Sequence, residues 1–388
     1  VRPAAYVLQG DARVLPLADA SVQCVVTSPP YWGLRDYGLG PQTLGLEPTP
    51  EGYVQHLVAI FREVRRVLRP DGTCWVNLGD SYANRPNANG YHGKERDTST
   101  LAGGGTYQNV ARIESQYDSL PPGLKVKDLV GIPWRVAFAL QADGWWLRSD
   151  IIWAKPNPMP ESITDRPTKS HEYLFLLTKA ARYYYDGEAI KEPNVEMWSP
   201  NGKARTVRPS IDVNGGGQGS GCMTWHASGR NRRSVWTIAT EPYPDAHFAT
   251  FPEKLVEPCI LAGTSERGAC PACGAPWGRE VERERTFESG SGRSGNMPVG
   301  KNGAGLQGGG ATLDVRRGPT VRATTLGWSP ICACPFAEPV PCRVLDPFAG
   351  SGTTVAVAER LGRVGIGVEL KPAYLTLARQ RTIQAGLL

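Results

Sequence analysis

Short apolar runs alternate with helical stripes along the chain. "VQCVVT" (Val22–Thr27) is a short, mostly apolar run of strand length. It must stop at Pro29 and Pro30, neither of which can donate a ladder hydrogen bond. "YVQHLVAIFREVRRVL" then repeats at helical spacing. Val54, Leu57, Val58, Phe61, Val64 and Leu68 share one face, with Arg62, Arg65, Arg66 and Arg69 mostly opposite. "RPDG" (69–72) reads as a turn before the strand "TCWVNLGD". A helix follows Pro133 and ends at Asp143-Gly144, and "LRSDIIWAK" and "EYLFLLTKA" are two more strands. The second is almost wholly apolar and so predicted to be central. Near the end, "RVLDPFAGSGTTVAVAERLGRVGIGVEL" is strand, glycine turn, helix and strand, and "PAYLTLARQRTI" is a last helix. Strands alternating with helices predict an α/β fold with a mainly parallel sheet covered on both faces.

Composition refines this picture in three places. Length (388 residues) and a hydrophobic content of 40% suit one large α/β domain with insertions. No apolar run approaches the roughly 18 residues of a membrane span, and no basic-then-apolar leader is seen, so no membrane partner and a cytoplasmic setting are expected. Glycine (45) and proline (33) together make about a fifth of the chain, against a usual share of roughly 12%. They gather at 84–109, 199–221 and 289–310, stretches too poor in apolar residues to bury a core and expected to be loops that order only on a partner. There is no internal repeat. A net charge of +6 allows a polyanionic partner without requiring one. Nine cysteines without a secretion signal read as reduced thiols or metal ligands.

Two motifs carry candidate chemistry. "TSPPYW" (27–32) is a rigid, donor-poor corner with a hydroxyl on one side and an aromatic face on the other. "DPFAGSGTT" (346–354) lies between a strand and a helix, where glycines let a ligand approach the backbone. Glu369 ends the next strand, at a tip where a carboxylate can take both hydroxyls of a ribose. The glycine turn alone is weak evidence. It is neither a Walker loop, since no lysine follows it, nor the spaced GxGxxG of a nicotinamide fold.

Together the motifs resemble those of the S-adenosylmethionine-dependent DNA amino-methyltransferases, which modify the exocyclic nitrogen of cytosine or adenine. The catalytic motif precedes the cofactor loop, the order of the β class, and the chain looks most like the N4-cytosine enzymes. The resemblance implies a Rossmann-like methyltransferase fold, a mostly parallel, circularly permuted seven-stranded sheet. It implies catalytic roles for Ser28, Pro29, Pro30 and Tyr31, the Ser28 hydroxyl and Pro29 carbonyl accepting from the target amine and Tyr31 stacking on a base swung out of the duplex. Trp32 either lines that pocket against DNA or is core. S-adenosylmethionine contacts are implied for Asp11, Thr27, His247, Phe251, Asp346, Pro347, Phe348, Gly350, Ser351, Gly352, Thr353 and Glu369. Residues 1–186 then form the catalytic half of the domain, with a mobile loop at 84–118. Residues 187–240 form the target-recognition region, in which Lys203, Arg205, Arg208, Arg230, Arg232 and Arg233 meet DNA or make a solvated basic loop. Residues 241–388 form the cofactor half.

The implied partner is double-stranded DNA, with the chain acting alone or beside a cognate restriction endonuclease, as monomer or homodimer. Methylation of adenine N6 is the alternative. Methylation of RNA or a protein amide, or a non-catalytic zinc-ribbon binder, are more remote. Within the cofactor half, a cysteine-rich insert (266–336) carries Cys270 and Cys273 at one end and Cys332 and Cys334 at the other. Two readings stand for these four: a structural Zn2+ held by thiolates, with Cys259 or Cys342 as substitute ligands, or plain reduced thiols. Cys24 and Cys74, on apolar strands, are expected to be core.

Overall fold

The computed structural model describes residues 4–34, 43–83, 120–193, 196–197, 205–206, 225–226, 229–241, 251–286 and 320–385. His247, Lys203, Arg208 and the loop 84–118 lie outside them. The chain divides into two compact units. The first takes 1–189, 233–278 and 330–388, and the second 190–232 and 279–329.

The first unit is built on β1 (Ala5–Gln9), β2 (Val22–Thr27), α1 (Pro50–Val67), β3 (Leu68–Leu78), α2 (Ile132–Ala142), β4 (Trp146–Ala154) and β5 (His171–Thr178). In the second unit lie β6 (Glu196–Met197), paired antiparallel with β7 (Arg205–Thr206), and β8 (Trp225–His226). The first unit resumes with β9 (Val235–Thr237) and α3 (Glu253–Gly263). β10 (Trp277–Thr286) and β11 (Thr320–Pro330) make a three-stranded sheet with β8. β12 (Arg343–Asp346), α4 (Thr353–Arg360), β13 (Val364–Glu369) and α5 (Pro372–Ala385) complete the first unit.

The main sheet runs β1-β13-β12-β2-β3-β5-β4-β9. Every described pair is parallel except the two made by β5 with β3 and β4. The expected seven strands are joined by an eighth, the three-residue edge strand β9. β5 is flanked on both sides and its last five residues are buried, as its apolar run predicts.

Helix α1 starts where sequence chemistry says it should. Thr49 accepts from Gly52 N (3.1 Å), Pro50 occupies the first turn, and Arg65 and Arg66 sit in the last. Its buried stripe is Tyr53, Leu57, Ile60, Phe61, Val64 and Val67; Val54 and Val58 flank that stripe rather than lie in it. The segment 69–72 is not a turn before the strand but a bulge within β3. Val22 pairs with Leu68 and Cys24 with Thr73, so four residues loop out opposite Gln23. α1 packs on α2 and β3, while α3 and α5 both pack on α4. No helix among the described residues is long and apolar enough to cross a membrane.

Candidate active site

β2 and β12 are parallel neighbours, Val344 beside Cys24 and Leu345 beside Val25. Their ends therefore bring together two motifs that are far apart in sequence, and one bond ties them: Thr27 Oγ1 donates to Asp346 Oδ1 (2.6 Å). Phe348 N donates to the same oxygen (3.0 Å), which sets the first turn of the glycine loop. Asp346 is buried, and burial pushes its carboxyl up to about 6 despite the donors Thr27, Phe348 N and Thr354. Gly350 and Gly352 both have left-handed φ, +52° and +81°. At Gly352 a Cβ would come within 3.0 Å of Ala378 on α5, so this glycine serves helix packing.

A cavity of about 200 Å3 opens at the loop, lined by Gly10, Asp11, Pro30, Pro347, Phe348, Gly350, Glu369 and Tyr374 among others. Glu369 Oε2 accepts from Gly350 N (2.9 Å) and Oε1 from Lys371 N (2.8 Å), fixing the carboxylate at the cavity wall; burial raises its carboxyl above the usual range. The Asp11 carboxylate is held low by Arg13, which it meets at 2.6 Å. The other expected cofactor residues lie differently. Thr27 and Asp346 are buried and do not line the cavity, and the Ser351 and Thr353 hydroxyls turn to Arg381 on α5 (3.4 and 2.8 Å). Arg381 reaches on to Glu253 of α3 (2.6 Å). Phe251 is half-buried just ahead of α3 and is not among the lining residues.

Beyond Thr27 the proline corner turns the chain toward α1, where Tyr53 Oη donates to the Pro30 carbonyl (2.7 Å). Ser28 Oγ donates to Tyr31 Oη (3.3 Å), and Tyr31 Oη to Glu172 Oε2 (2.7 Å). Asn77 Nδ2 bridges Tyr31 Oη (2.7 Å) and Glu172 Oε2 (2.8 Å), and Lys155 Nζ donates to Glu172 Oε1. Burial and the Glu172 charge push the Tyr31 phenol well up, keeping it a donor. Close packing demands Gly79, whose Cβ would lie 2.5 Å from Tyr31 Cε2. Trp32 is half-buried against the core, its Nε1 donating to Glu47 O (2.8 Å). Sequence reasoning missed Glu172, Asn77, Lys155 and Tyr53. A charged residue opening the apolar strand "EYLFLLT" was the one available signal.

Of the expected DNA contacts, Arg230 pairs with Glu192 (3.2 Å), Arg232 is half-buried and Arg233 exposed; Arg205 lies in β7.

Cys270, Cys273, Cys332 and Cys334 converge, with their four Sγ atoms within 4.8 Å of one another. A tetrahedron of Zn–S bonds has edges of about 3.8 Å, so the donor set fits the ion. Cys273 and Ala272 N–H groups aimed at its sulfur bring Cys270 down to about 7, whereas Cys334, hydrogen-bonded first of all to Cys273, is pushed up to about 12. The knuckle is anchored to the sheet. Gln23 Nε2 donates to Gly274 O (2.9 Å), and Arg69, in the β3 bulge, donates to Cys273 O. Cys259 and Cys342 are buried elsewhere, donating to Leu255 O and Ser265 O (3.2 and 3.8 Å). Cys24 and Cys74 are core, and burial is the main cause that pushes Cys24 up to about 12.

The comparisons with known proteins fall on this same frame. A family model described as DNA methylase matches residues 22–270 and 343–380. The Type II methyltransferase M.Cfr9I of Citrobacter freundii is 47% identical over 381 residues, covering 97% of this chain and 87% of the relative. M.SmaI of Serratia marcescens is 38% identical over 380 residues, covering 97% and 90%. Among solved structures, the PvuII DNA methyltransferase (cytosine-N4-specific) shares the fold with a TM-score of 0.50 at 16% identity, over 98% of this chain and 88% of that one.

Proposed function

Because the chain belongs to the β-class DNA amino-methyltransferases, the family of the matched DNA methylase, we propose that it transfers a methyl group from S-adenosylmethionine to N4 of a cytosine extruded from duplex DNA. The observation that carries this reading is the Ser28–Tyr31 corner, whose Pro30 lines the same cavity as Gly350 and Glu369. The cavity residues fit the cofactor. Glu369 at the strand tip would take the ribose hydroxyls, Asp11 would meet the adenine side, and Gly350 puts no side chain in the cavity. Bound there, S-adenosylmethionine supplies an electrophilic methyl group on a cationic sulfur, which leaves with the bonding pair.

The chain's own residues prepare the acceptor. An exocyclic amine is a poor nucleophile because its lone pair is delocalised into the ring. Two acceptors at its hydrogens draw it toward tetrahedral geometry and stabilise the positive charge that develops. Ser28 donates its hydroxyl hydrogen bond to Tyr31, which leaves its lone pairs for the amine. The Pro29 carbonyl is the second acceptor; the next peptide along, Pro30–Tyr31, is held to α1 by the Tyr53 bond to Pro30 O. Cytosine is favoured over adenine because a hydroxyl stands at position 28, where adenine enzymes of the family usually carry Asp. Residues 187–240 supply target recognition. The relatives' designation as Type II methyltransferases supports a role beside a restriction endonuclease. Incubating the protein with labelled S-adenosylmethionine and duplex DNA, followed by nucleoside mass spectrometry, is expected to yield N4-methylcytosine. Methyladenine without methylcytosine overturns the base assignment, and no transfer to DNA overturns the reaction.

The four-cysteine knuckle is a structural zinc site in this reading. Purified protein is expected to carry about one zinc per chain and to melt at a lower temperature once a chelator removes it. Elemental analysis without stoichiometric metal, in protein never exposed to chelator, refutes this.

A further inference from the structure

The hydrogen bonds beneath Ser28 run in one direction and end on a carboxylate. Ser28 donates to Tyr31 and Tyr31 to Glu172. Asn77 Nδ2, which can only donate, bonds both Tyr31 Oη and Glu172 Oε2 and so fixes the polarity of the line. Lys155 holds the other Glu172 oxygen, and its ammonium also lies 4.3 Å from the Trp153 ring. β4 and β5 create this placement, since their antiparallel register sets Trp153 opposite Glu172. The Glu172 and Lys155 side chains are only 15% and 18% exposed. An ion pair alone would have no need of Tyr31 and Ser28. Here the carboxylate sits at the inner end of a two-step proton path whose outer end is the hydroxyl assigned to the target amine.

We infer that Glu172 is the positioning residue and proton terminus of the reaction, acting through Tyr31 and Ser28; the inference rests on the amine-methylation reading above. The nitrogen that forms the new bond to carbon carries one proton too many. That proton passes to Ser28 Oγ as the serine's own proton moves to Tyr31 Oη and the phenol's proton moves to Glu172 Oε2. The methylated amine ends neutral, Ser28 and Tyr31 are regenerated, and Glu172 is left as a neutral acid that returns its proton to solvent before the next turnover. Before transfer, the same line orients the serine so that its lone pairs, not its hydrogen, face the amine.

Glu172→Gln keeps the size and an acceptor for Tyr31 but cannot take up a proton. In methyl transfer from labelled S-adenosylmethionine to duplex DNA, kcat is expected to fall roughly 100-fold or more, while KM for DNA and cofactor affinity stay within about threefold. The wild-type single-turnover rate should be level from about pH 7 to 9, whereas the variant's should climb with pH as hydroxide replaces the lost base. Tyr31→Phe retains the ring, breaks the path one step earlier, and should show the same climb. The double variant should be no slower than the slower single one. A Glu172→Gln loss carried wholly by KM, or pH profiles parallel to wild type in both single variants, overturns the inference while leaving the methyltransferase reading intact. Absence of methyl transfer by the wild-type protein overturns that reading itself.

Discussion

Asp346→Asn is expected to make the cofactor-free protein more stable near pH 7.5, by about 3 kcal/mol, while weakening its hold on S-adenosylmethionine. The side chain is 1% exposed, and burial lifts its carboxyl from 3.8 to about 6. A folded-state value above the unfolded one means that the native chain binds the proton more tightly between about pH 4 and 6. Stability is therefore lost as pH rises through that window and stays lost above it. Asparagine removes the charge, and its oxygen still accepts from Thr27 and Phe348 N. The gain over wild type should vanish below about pH 4, where both chains are neutral at this position. A buried anion behind the glycine loop favours a cationic ligand, which is why its removal should also raise the cofactor Kd. Thermal melts from about pH 4 to 8, with and without cofactor, read both effects. A variant less stable at every pH would show that the carboxylate is a net structural support. Gly350→Trp is the companion. It fills the cavity and forces a bulky residue to φ +52°, so cofactor binding should disappear while DNA affinity remains.

The frame of the molecule was legible because its signals are local. β2, α1 and the β12–α4–β13 unit each carry an apolar period, a cap or a glycine turn within their own residues. Pro70, Asp71 and Gly72 misled for the same reason. They make a turn by local chemistry, but Thr73 finds Cys24 and rejoins the ladder that Leu68 had begun with Val22. Within the candidate site, the two motifs could be read from glycine, proline and hydroxyl placement. The residues beneath them could not. Glu172 meets Tyr31 across 141 residues and Asn77 across 95, and neither pairing follows until the register of β3, β5 and β4 is known. Trp32 shows the opposite limit, since an aromatic beside a motif reads equally as pocket or core, and here it packs on the core with its indole N–H bonded to Glu47 O.

Ser28→Ala is expected to reduce the methyl-transfer rate by about 100- to 1000-fold, the range seen when one preorganised partner of a developing charge is deleted. The mutation removes a single oxygen at a half-buried position, so the fold should lose little. Tyr31 still has Glu172 and Asn77 as partners, and the sheet beneath is untouched. DNA affinity and cofactor affinity should stay within about threefold, because neither the glycine cavity nor the basic residues change. Ser28→Thr retains the hydroxyl and should recover part of the rate, which a purely steric role would not allow. If alanine left the single-turnover rate within about threefold of wild type, the hydroxyl would not be an acceptor for the amine. The Pro29 carbonyl would then have to act alone, and the preference for cytosine drawn from this position would fall with it.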